Sequence, residues 1–248
     1  MNILGICIGE QCAASLTING KIVGASQEER FVKKKSYSGF PYKSINYLLK
    51  INNLTKKDVD EVYVINKLVT GLEFSLVQRF HSFSVNDYIF EAHKYYYPIL
   101  FEQKKIKLLK LFKNKIVRKT FPNEVVNTLI KTGENNENTQ LLRKKIIYNF
   151  FKKKLKVHFV NHHFCHALYA YISNPNKFKK SLIFTADSLG DNENNNVYYA
   201  DNKSIKCIYS DNTLNLGRLF RNITLLLGLK PYQHEYKLMG LAPYAKEE

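Results

Sequence analysis

The chain has 248 residues, of which 45% are hydrophobic and 24% charged, a composition that indicates a folded globular protein and excludes a wholly disordered one. Lysine and arginine number 38 against 21 aspartates and glutamates, so the formal net charge is +17. Because no run reaches the about 18 to 20 apolar residues of a membrane span, we expect no membrane segment. We see no signal peptide either, and the four scattered cysteines suit a reducing cytoplasm, where we expect the protein to be located.

The positive charge is concentrated in the middle of the sequence. Residues 1–69 carry a net charge of +4, residues 70–156 carry +11 and residues 157–248 carry +2. We therefore predict that residues 1–69 form the first part of an α/β domain, that 70–156 are a basic helical insertion, and that 157–248 continue the α/β domain.

The first of these segments predicts strands, a helix and a further strand. Apolar runs predict strands at 2–8, 13–18, 21–27 and 59–65, with a turn at Asn19-Gly20. Ile45, Leu48 and Leu49 have helical spacing and predict a helix over 41–51. A three-stranded meander followed by a helix and a strand is typical of the opening of an actin-like or ribonuclease-H-like α/β domain.

The basic middle segment is predicted to be helical. Residues 102–121 and 141–155 each form a helical run, with an asparagine-rich loop expected at 133–140. Two interpretations of its lysines stay open: a solvated helix face, or a surface for an acidic partner such as RNA, a membrane or a protein. The sequence has neither zinc-finger spacing nor an aromatic ribonucleoprotein motif, so we expect no nucleic acid partner.

The last segment alternates strands and helices around several polar clusters. Predicted strands lie at 157–160, 181–186, 196–200 and 204–209, the last two joined by a turn at Asp201-Asn202. Predicted helices lie at 167–172 and 216–227.

A histidine cluster follows the strand at 157–160. His162 and His166 are four residues apart, so a helix would place both imidazoles on one face, as two ligands of a zinc, iron or manganese ion require. The alternative is a chance pair on a helix surface. His163 would point elsewhere, toward a substrate or another wall. Asp187, predicted to end the strand at 181–186, would supply an oxygen ligand.

Other polar and glycine-containing segments suggest phosphate contacts. After Asp187, Ser188 and Gly190 would let the backbone approach a phosphate, although a strand-terminating turn favours the same residue types. Gly217 and Gly240 would let backbone N–H groups face a phosphate or an adenylate, which Lys237 could neutralise.

Taken together, these segments resemble one family. The runs QEERFVKKK, VNHHFCHALYAY, FTADSLGD, NLGRLF and GLKPYQHEYKLMGLAPYAK occur in the order and approximate spacing of the O-carbamoyltransferases of nodulation and antibiotic biosynthesis. The resemblance implies the N-terminal, actin-like ATPase domain of such an enzyme. In the family, a second, YrdC-like domain makes carbamoyl-adenylate from carbamoyl phosphate and ATP, and the actin-like domain transfers the carbamoyl group to a hydroxyl of a sugar or another small molecule.

The resemblance also implies residue roles. His162, His166 and Asp187 match ligands of a divalent metal, commonly iron, which would hold the adenylate and polarise the carbamoyl carbonyl. Lys35 matches the last lysine of a basic run and would neutralise charge near the transferred group. The remaining matches fall in segments that surround the nucleotide: Ser188, Gly190, Gly217, Lys237 and Gly240.

The sequence departs from the family pattern at three places. The loop Gly9-Glu10-Gln11-Cys12 lacks the family's His-Asp pair, which leaves Glu10 as a substitute catalytic base, and Asp187-Ser188 replaces an Asp-Gly pair. A further metal-binding aspartate and the YrdC-like domain have no counterpart in the 248 residues. We therefore expect a truncated or split enzyme that needs a C-terminal partner, with a degenerate, non-catalytic binding module as the alternative.

Overall fold

The computed structural model describes residues 1–9, 11–34, 37, 39–67, 93–94, 97–104, 136–174, 179–214, 216–229 and 234–246. The strands in these ranges are β1 (Asn2–Cys7), β2 (Ala13–Ile18), β3 (Lys21–Gln27), β4 (Glu61–Ile65), β5 (Lys156–Val160), β6 (Lys180–Gly190), β7 (Glu193–Asp201) and β8 (Ile205–Asp211). The α-helices are α1 (Glu29–Val32), α2 (Tyr42–Ile51), α3 (Tyr97–Leu100), α4 (Asn136–Phe151), α5 (His162–Ser173), α6 (Leu216–Leu226) and α7 (Glu235–Met239). None of these helices is both long enough and apolar enough to cross a bilayer.

The chain forms two compact units. Unit 1 comprises Met1–Phe80 and Lys107–Cys165, and unit 2 comprises His81–Ile106 and His166–Glu248. The division falls inside α5, which is itself a continuous helix. Helix α4 belongs to unit 1 together with β1 to β5, and the division into three segments stays a prediction.

Unit 1 contains a mixed five-stranded sheet in the order β3-β2-β1-β4-β5. β1, β2 and β3 form the predicted antiparallel meander, whereas β1, β4 and β5 run parallel. The predicted positions of all five strands are confirmed to within about two residues. The α/β class predicted for the chain follows from this sheet and its helices.

One face of this sheet forms the core of unit 1 because apolar side chains alternate along its strands. Leu4 of β1 pairs with Leu16 of β2 and with Val62 of β4, and all three side chains are fully buried. Helix α2 packs on this face through Leu48, which lies against Gly24 of β3. The helical spacing of apolar residues in 41–51 therefore correctly identified the buried face of α2.

Helix α4 packs into unit 1 through its apolar residues. Its buried residues include Leu142, Ile146 and Ile147, and Phe150 contacts the ring of Phe40 at a centroid distance of 5.2 Å. The loop predicted at 133–140 is wrong from Asn136 onward, where α4 begins. The other predicted helical run, at 102–121, lies outside the described residues from position 105.

Glu28, the first acidic residue of the QEERFVKKK run, has a structural role. Glu28 is only 2% exposed. Its carboxylate accepts hydrogen bonds from the backbone N–H groups of Lys43 and Ser44, at 3.0 and 2.8 Å, and from the Ser44 hydroxyl. Because the first N–H groups of a helix lack intrahelical partners, Glu28 stabilises the N-terminus of α2.

Unit 2 contains an antiparallel sheet in the order β6-β7-β8. β6 and β7 are joined by a tight turn in which Asp191 and Asn192 have φ values of 55° and 67°, as a type I′ hairpin turn requires. The predicted turn between β7 and β8 is confirmed, since Asp201 Oδ1 accepts hydrogen bonds from the N–H groups of Lys203 and Ser204. Helix α6 packs on β6 and begins where it was predicted.

Candidate metal centre

The parallel part of the unit 1 sheet brings together segments that are distant in sequence. β1, β4 and β5 run in the same direction, so the residues that follow them lie at one edge. Those residues are Gly9 after β1, Asn66 after β4 and Asn161 after β5. This carboxyl edge is where α/β proteins commonly bind ligands.

The start of helix α5 is fixed by Asn161. Its side-chain oxygen accepts a hydrogen bond from the N–H of Phe164 at 2.9 Å, which is the usual role of an asparagine at a helix N-cap. The helix therefore begins at His162, five residues before the predicted start at 167, and includes His162 and His166. Their spacing of four residues places both imidazoles on one face of α5, as predicted.

The His162 ring is held by a residue that the sequence did not single out. His162 Nδ1 lies 2.8 Å from Oδ1 of Asn66. Because an amide oxygen only accepts, a hydrogen bond at this contact requires the His162 tautomer that carries a proton on Nδ1.

Asp187 lies inside β6 rather than at the end of a strand. The predicted strand end at 186 is wrong, because β6 continues to Gly190 past an irregularity in its pairing with β7 between Ala186 and Gly190. A β-bulge of this kind reorients side chains locally. Asp187 Oδ2 lies 3.5 Å from His166 Nε2, and both side chains are partly exposed.

His162, His166 and Asp187 each present one ligand atom, and these atoms lie within 4.8 Å of one another. Two ligands at about 2.1 Å from a shared ion would be separated by at most about 4.2 Å, so the 3.5 Å between His166 and Asp187 is a suitable spacing. Any separation in the set between this limit and 4.8 Å would have to shorten when a metal binds. Two imidazoles and a carboxylate suit iron, zinc or manganese. The donor set fits a divalent transition metal and, with three protein ligands, leaves coordination positions for a substrate.

His163, the remaining histidine of the cluster, has a different environment. His163 is completely buried, and its ring makes an edge contact with the ring of His162 at 5.4 Å. It therefore packs against the first ligand of the candidate site from the interior of the protein.

The residues predicted to surround a nucleotide are distributed over several elements of unit 2. Ser188 and Gly190 lie in β6, Gly217 lies in the first turn of α6, Lys237 lies in α7, and Gly240 follows α7. Lys237 is exposed.

Gly240 does not have the geometry on which its prediction was based. Its φ is −66°, and its N–H donates to the carbonyl oxygen of Tyr236 at 3.0 Å. The N–H that was expected to face a phosphate thus has a partner within its own helix end.

Glu10 and Lys35 lie outside the described residues. The segments beside them are joined by a two-way backbone bridge between Gly9 and Gly39, with N···O distances of 2.9 and 2.8 Å. Both glycines have positive φ values, 123° and 145°, which other residues rarely adopt.

Sequence reasoning missed two residues at the candidate site. Asn66 directly follows a strand at the carboxyl edge of the sheet, and this position was the available signal. Arg143 was assigned to a basic insertion, but it is completely buried and donates to the carbonyl oxygens of Asn66 and Lys67. The available signal was its helical spacing from Ile146 and Ile147, which follow it by three and four positions and are buried.

Comparison with known proteins connects this geometry to a family. Residues 2–248 match the family model described as the carbamoyltransferase N-terminus. The uncharacterized protein MJ1051 of Methanocaldococcus jannaschii is 28% identical over 247 residues, which cover 99% of this chain and 34% of that protein. The uncharacterized protein sll1178 of Synechocystis sp. is 26% identical over 250 residues, covering 99% of this chain and 35% of that protein.

The chain thus spans about a third of the length of the curated relatives that it matches. The family match, by contrast, extends over nearly every residue, from the first strand through the histidine cluster to the C-terminal segment. The chain therefore belongs to the carbamoyltransferase family, of which it represents the N-terminal domain.

Proposed function

We propose that this chain forms the metal- and carbamoyl-adenylate-binding part of an enzyme that transfers a carbamoyl group to a hydroxyl of a sugar or another small molecule. The observation that carries the proposal is the group formed by His162, His166 and Asp187 in a chain of this family. The strand order of unit 1 supports an actin-like, ribonuclease-H-like fold for the domain. The carbamoyl-adenylate would be made from carbamoyl phosphate and ATP by a YrdC-like part of the whole protein.

The proposed reaction has a simple balance. The acceptor hydroxyl oxygen forms a bond to the carbamoyl carbon, the bond from that carbon to the phosphate oxygen of the adenylate breaks, and AMP leaves. The hydroxyl proton passes to a base, for which Glu10 is our candidate. A divalent metal bound at the site, iron in our proposal, would supply Lewis-acid polarisation of the carbamoyl carbonyl.

The residues of this chain hold and orient the reactants. His162, His166 and Asp187 bind through two nitrogens and one oxygen, and Lys35 neutralises charge near the transferred group. In unit 2, Ser188, Gly190 and Gly217 contact the adenylate and Lys237 balances its phosphate charge. The hydrogen bond from His162 to Asn66 holds the first imidazole in one orientation.

Metal binding is the direct test of the candidate centre. We expect one iron, zinc or manganese ion per chain, measured by elemental analysis and by titration of the metal-free protein. His162→Ala and Asp187→Asn should weaken binding by more than the roughly 10- to 100-fold that is typical of changes around a metal site. His158→Ala is the matched control, because His158 lies on β5 and bonds to Glu61. Unchanged binding in His162→Ala would refute the metal role.

Transfer activity is tested on the chain reconstituted with a C-terminal partner. We expect hydroxyl-dependent consumption of carbamoyl-adenylate, and its loss in His162→Ala but not in His158→Ala. The same metal analysis separates this proposal from the alternative. Stoichiometric metal that is lost in His166→Ala supports a catalytic site, whereas a chain that binds no metal would be a non-catalytic binding module.

A further inference from the structure

The imidazole of His162 is fixed by a contact between two segments that are distant in sequence. Ile65, the last residue of β4, pairs with Val160, the last residue of β5. Asn66 follows the first of these strands and His162 begins the helix after the second, so both lie at the same sheet edge. The 2.8 Å hydrogen bond from His162 Nδ1 to Asn66 Oδ1 spans 96 positions of sequence.

The backbone that carries Asn66 has an uncommon conformation. Asn66 has a φ of 73°, in the left-handed region that asparagine tolerates better than most residues with a side chain. A tight change of direction directly after β4 thus positions the amide toward His162.

Side chains from helix α4 hold this turn in place. Arg143 donates through Nη1 to the carbonyl oxygen of Asn66 at 2.6 Å and through Nη2 to that of Lys67 at 3.0 Å. Gln140 donates to the same Lys67 oxygen at 2.8 Å. The Arg143 guanidinium also lies 4.6 Å from the centre of the Phe159 ring, which keeps it in a defined position.

We infer that Asn66 is a positioning residue that holds His162 in the tautomer with the proton on Nδ1, so that Nε2 is the ring nitrogen that would bind a metal. Metal-binding histidines in general donate their second ring N–H to a fixed acceptor, which sets both tautomer and ring orientation. Arg143 and Gln140 complete the arrangement by fixing the backbone of the acceptor. The inference rests on the proposed function, in which His162 is a metal ligand.

A purely structural role for Asn66 makes a different prediction. If the residue were needed only for its left-handed backbone, glycine would replace it without loss, since glycine adopts this conformation freely. If its amide oxygen is needed, glycine should fail, whereas aspartate should succeed, because aspartate also tolerates the conformation and retains an acceptor.

The test compares metal binding in Asn66→Gly, Asn66→Asp and the matched control Asn53→Gly. Asn53 has a similar φ of 55°, is exposed and follows α2. Competition of the full chain with a chromophoric chelator for Co²⁺ and Zn²⁺ gives the affinities. We expect Asn66→Gly to bind about 10- to 100-fold more weakly, and Asn66→Asp and Asn53→Gly to bind at least as well as the original chain. Equal Co²⁺ affinity in Asn66→Gly would overturn the inference.

A second measurement does not depend on metal. The ¹⁵N chemical shifts of the metal-free chain report the tautomer of each histidine, and His162→Gln identifies the signals of His162. We expect a proton on Nδ1 in the original chain and in Asn66→Asp, and its loss from that position in Asn66→Gly. A tautomer that is unaffected by Asn66→Gly would overturn the inference.

The two measurements separate this inference from the proposed function. A chain that shows the expected tautomer change but binds no metal refutes the metal centre and supports the positioning role. A chain that binds metal equally well with and without the Asn66 amide supports the metal centre and refutes the positioning role.

Discussion

The guanidinium of Arg143 is completely buried, and it donates to backbone carbonyl groups of three successive residues, Ile65, Asn66 and Lys67. A buried charge is stable only where hydrogen bonds replace its hydration. The carbonyl groups at the end of β4 and directly after it provide this replacement, and the Lys67 oxygen also accepts a hydrogen bond from Gln140. One side chain therefore contributes both to the stability of unit 1 and to the candidate site.

We predict that Arg143→Met destabilises the protein by roughly 1–3 kcal/mol, because it removes the hydrogen bonds that the guanidinium donates to the partly buried carbonyl groups of Ile65 and Asn66. The free energy of unfolding from urea denaturation, followed by circular dichroism, is the measurement. Lys154→Met provides the control, since Lys154 is exposed just after α4. A loss in Arg143→Met no larger than in this control would contradict the role assigned to the guanidinium.

Among the elements, the contact between β3 and α2 is unusually close. A Cβ atom on Gly24 would lie 2.8 Å from Cδ2 of Leu48, and Leu48 is buried in the core of unit 1. A Cβ on Gly5 would lie 2.6 Å from the Ser15 hydroxyl. The two glycines differ because a serine hydroxyl can rotate, whereas the packed leucine cannot move without disturbing its neighbours.

Gly24→Ala should therefore cost about 1–3 kcal/mol of stability through overpacking between strand and helix. Gly5→Ala should cost less, because Ser15 can change rotamer. Thermal and urea denaturation of the two variants, measured in parallel, compare their losses of stability. Equal losses would mean that Leu48 adapts to the added methyl group as readily as Ser15 does.

The described strands and helices were largely predictable, because the patterns that identify them lie within short stretches of sequence. Alternation in β2 and the spacing of Ile45, Leu48 and Leu49 in α2 reflect burial on one face, which a short window of sequence records. The end of β6 was not predictable, because the Asp187-Ser188-Leu189-Gly190 segment has a composition typical of turns yet continues the strand through a bulge.

The candidate ligands were predicted from spacing and from a family resemblance, but the residues that hold them in position were not predicted. Asn66 and His162 are 96 positions apart, and only the parallel pairing of β4 and β5 brings them together. Arg143 entered the sequence analysis only through the net charge of residues 70–156, since composition alone does not distinguish a buried cation from an exposed one.

The whole chain has a net charge of +17, so each ionised carboxyl group reduces the repulsion among the positive charges. Several carboxyls have a pKa below the usual value. The pKa of Asp58 is lowered chiefly by the Thr55 hydroxyl, that of Glu61 by a hydrogen bond from Lys156, and that of Asp201 by the N–H groups of Lys203 and Ser204. All are stabilised in their charged form in the folded state.

Stability should therefore fall as the solution becomes acidic. A carboxyl whose folded pKa lies below its unfolded value, 3.8 for aspartate and 4.5 for glutamate, contributes fully above that value and loses its contribution as the pH falls through the lowered folded pKa. Denaturation midpoints between pH 7 and 3 measure this, and we expect the decline to begin below about pH 5. Asp58→Asn should flatten the profile, and an identical slope in that variant would contradict the contribution of Asp58.

The parallel pairing of β4 with β5 has a further consequence, for the order in which the protein folds. The β1-β2-β3 meander joins neighbouring stretches of chain, whereas Glu61 must find Lys156 across 95 positions. Closing so long a loop costs conformational entropy before the contacts between β4 and β5 can stabilise the chain. We therefore expect the meander to form early and β5 to dock late. Since Asn66 and His162 meet only when β5 has docked, the hydrogen bond between them forms only near the end of folding. In the proposed function, where His162 binds a metal, metal loading would then follow folding of unit 1 and would not guide it.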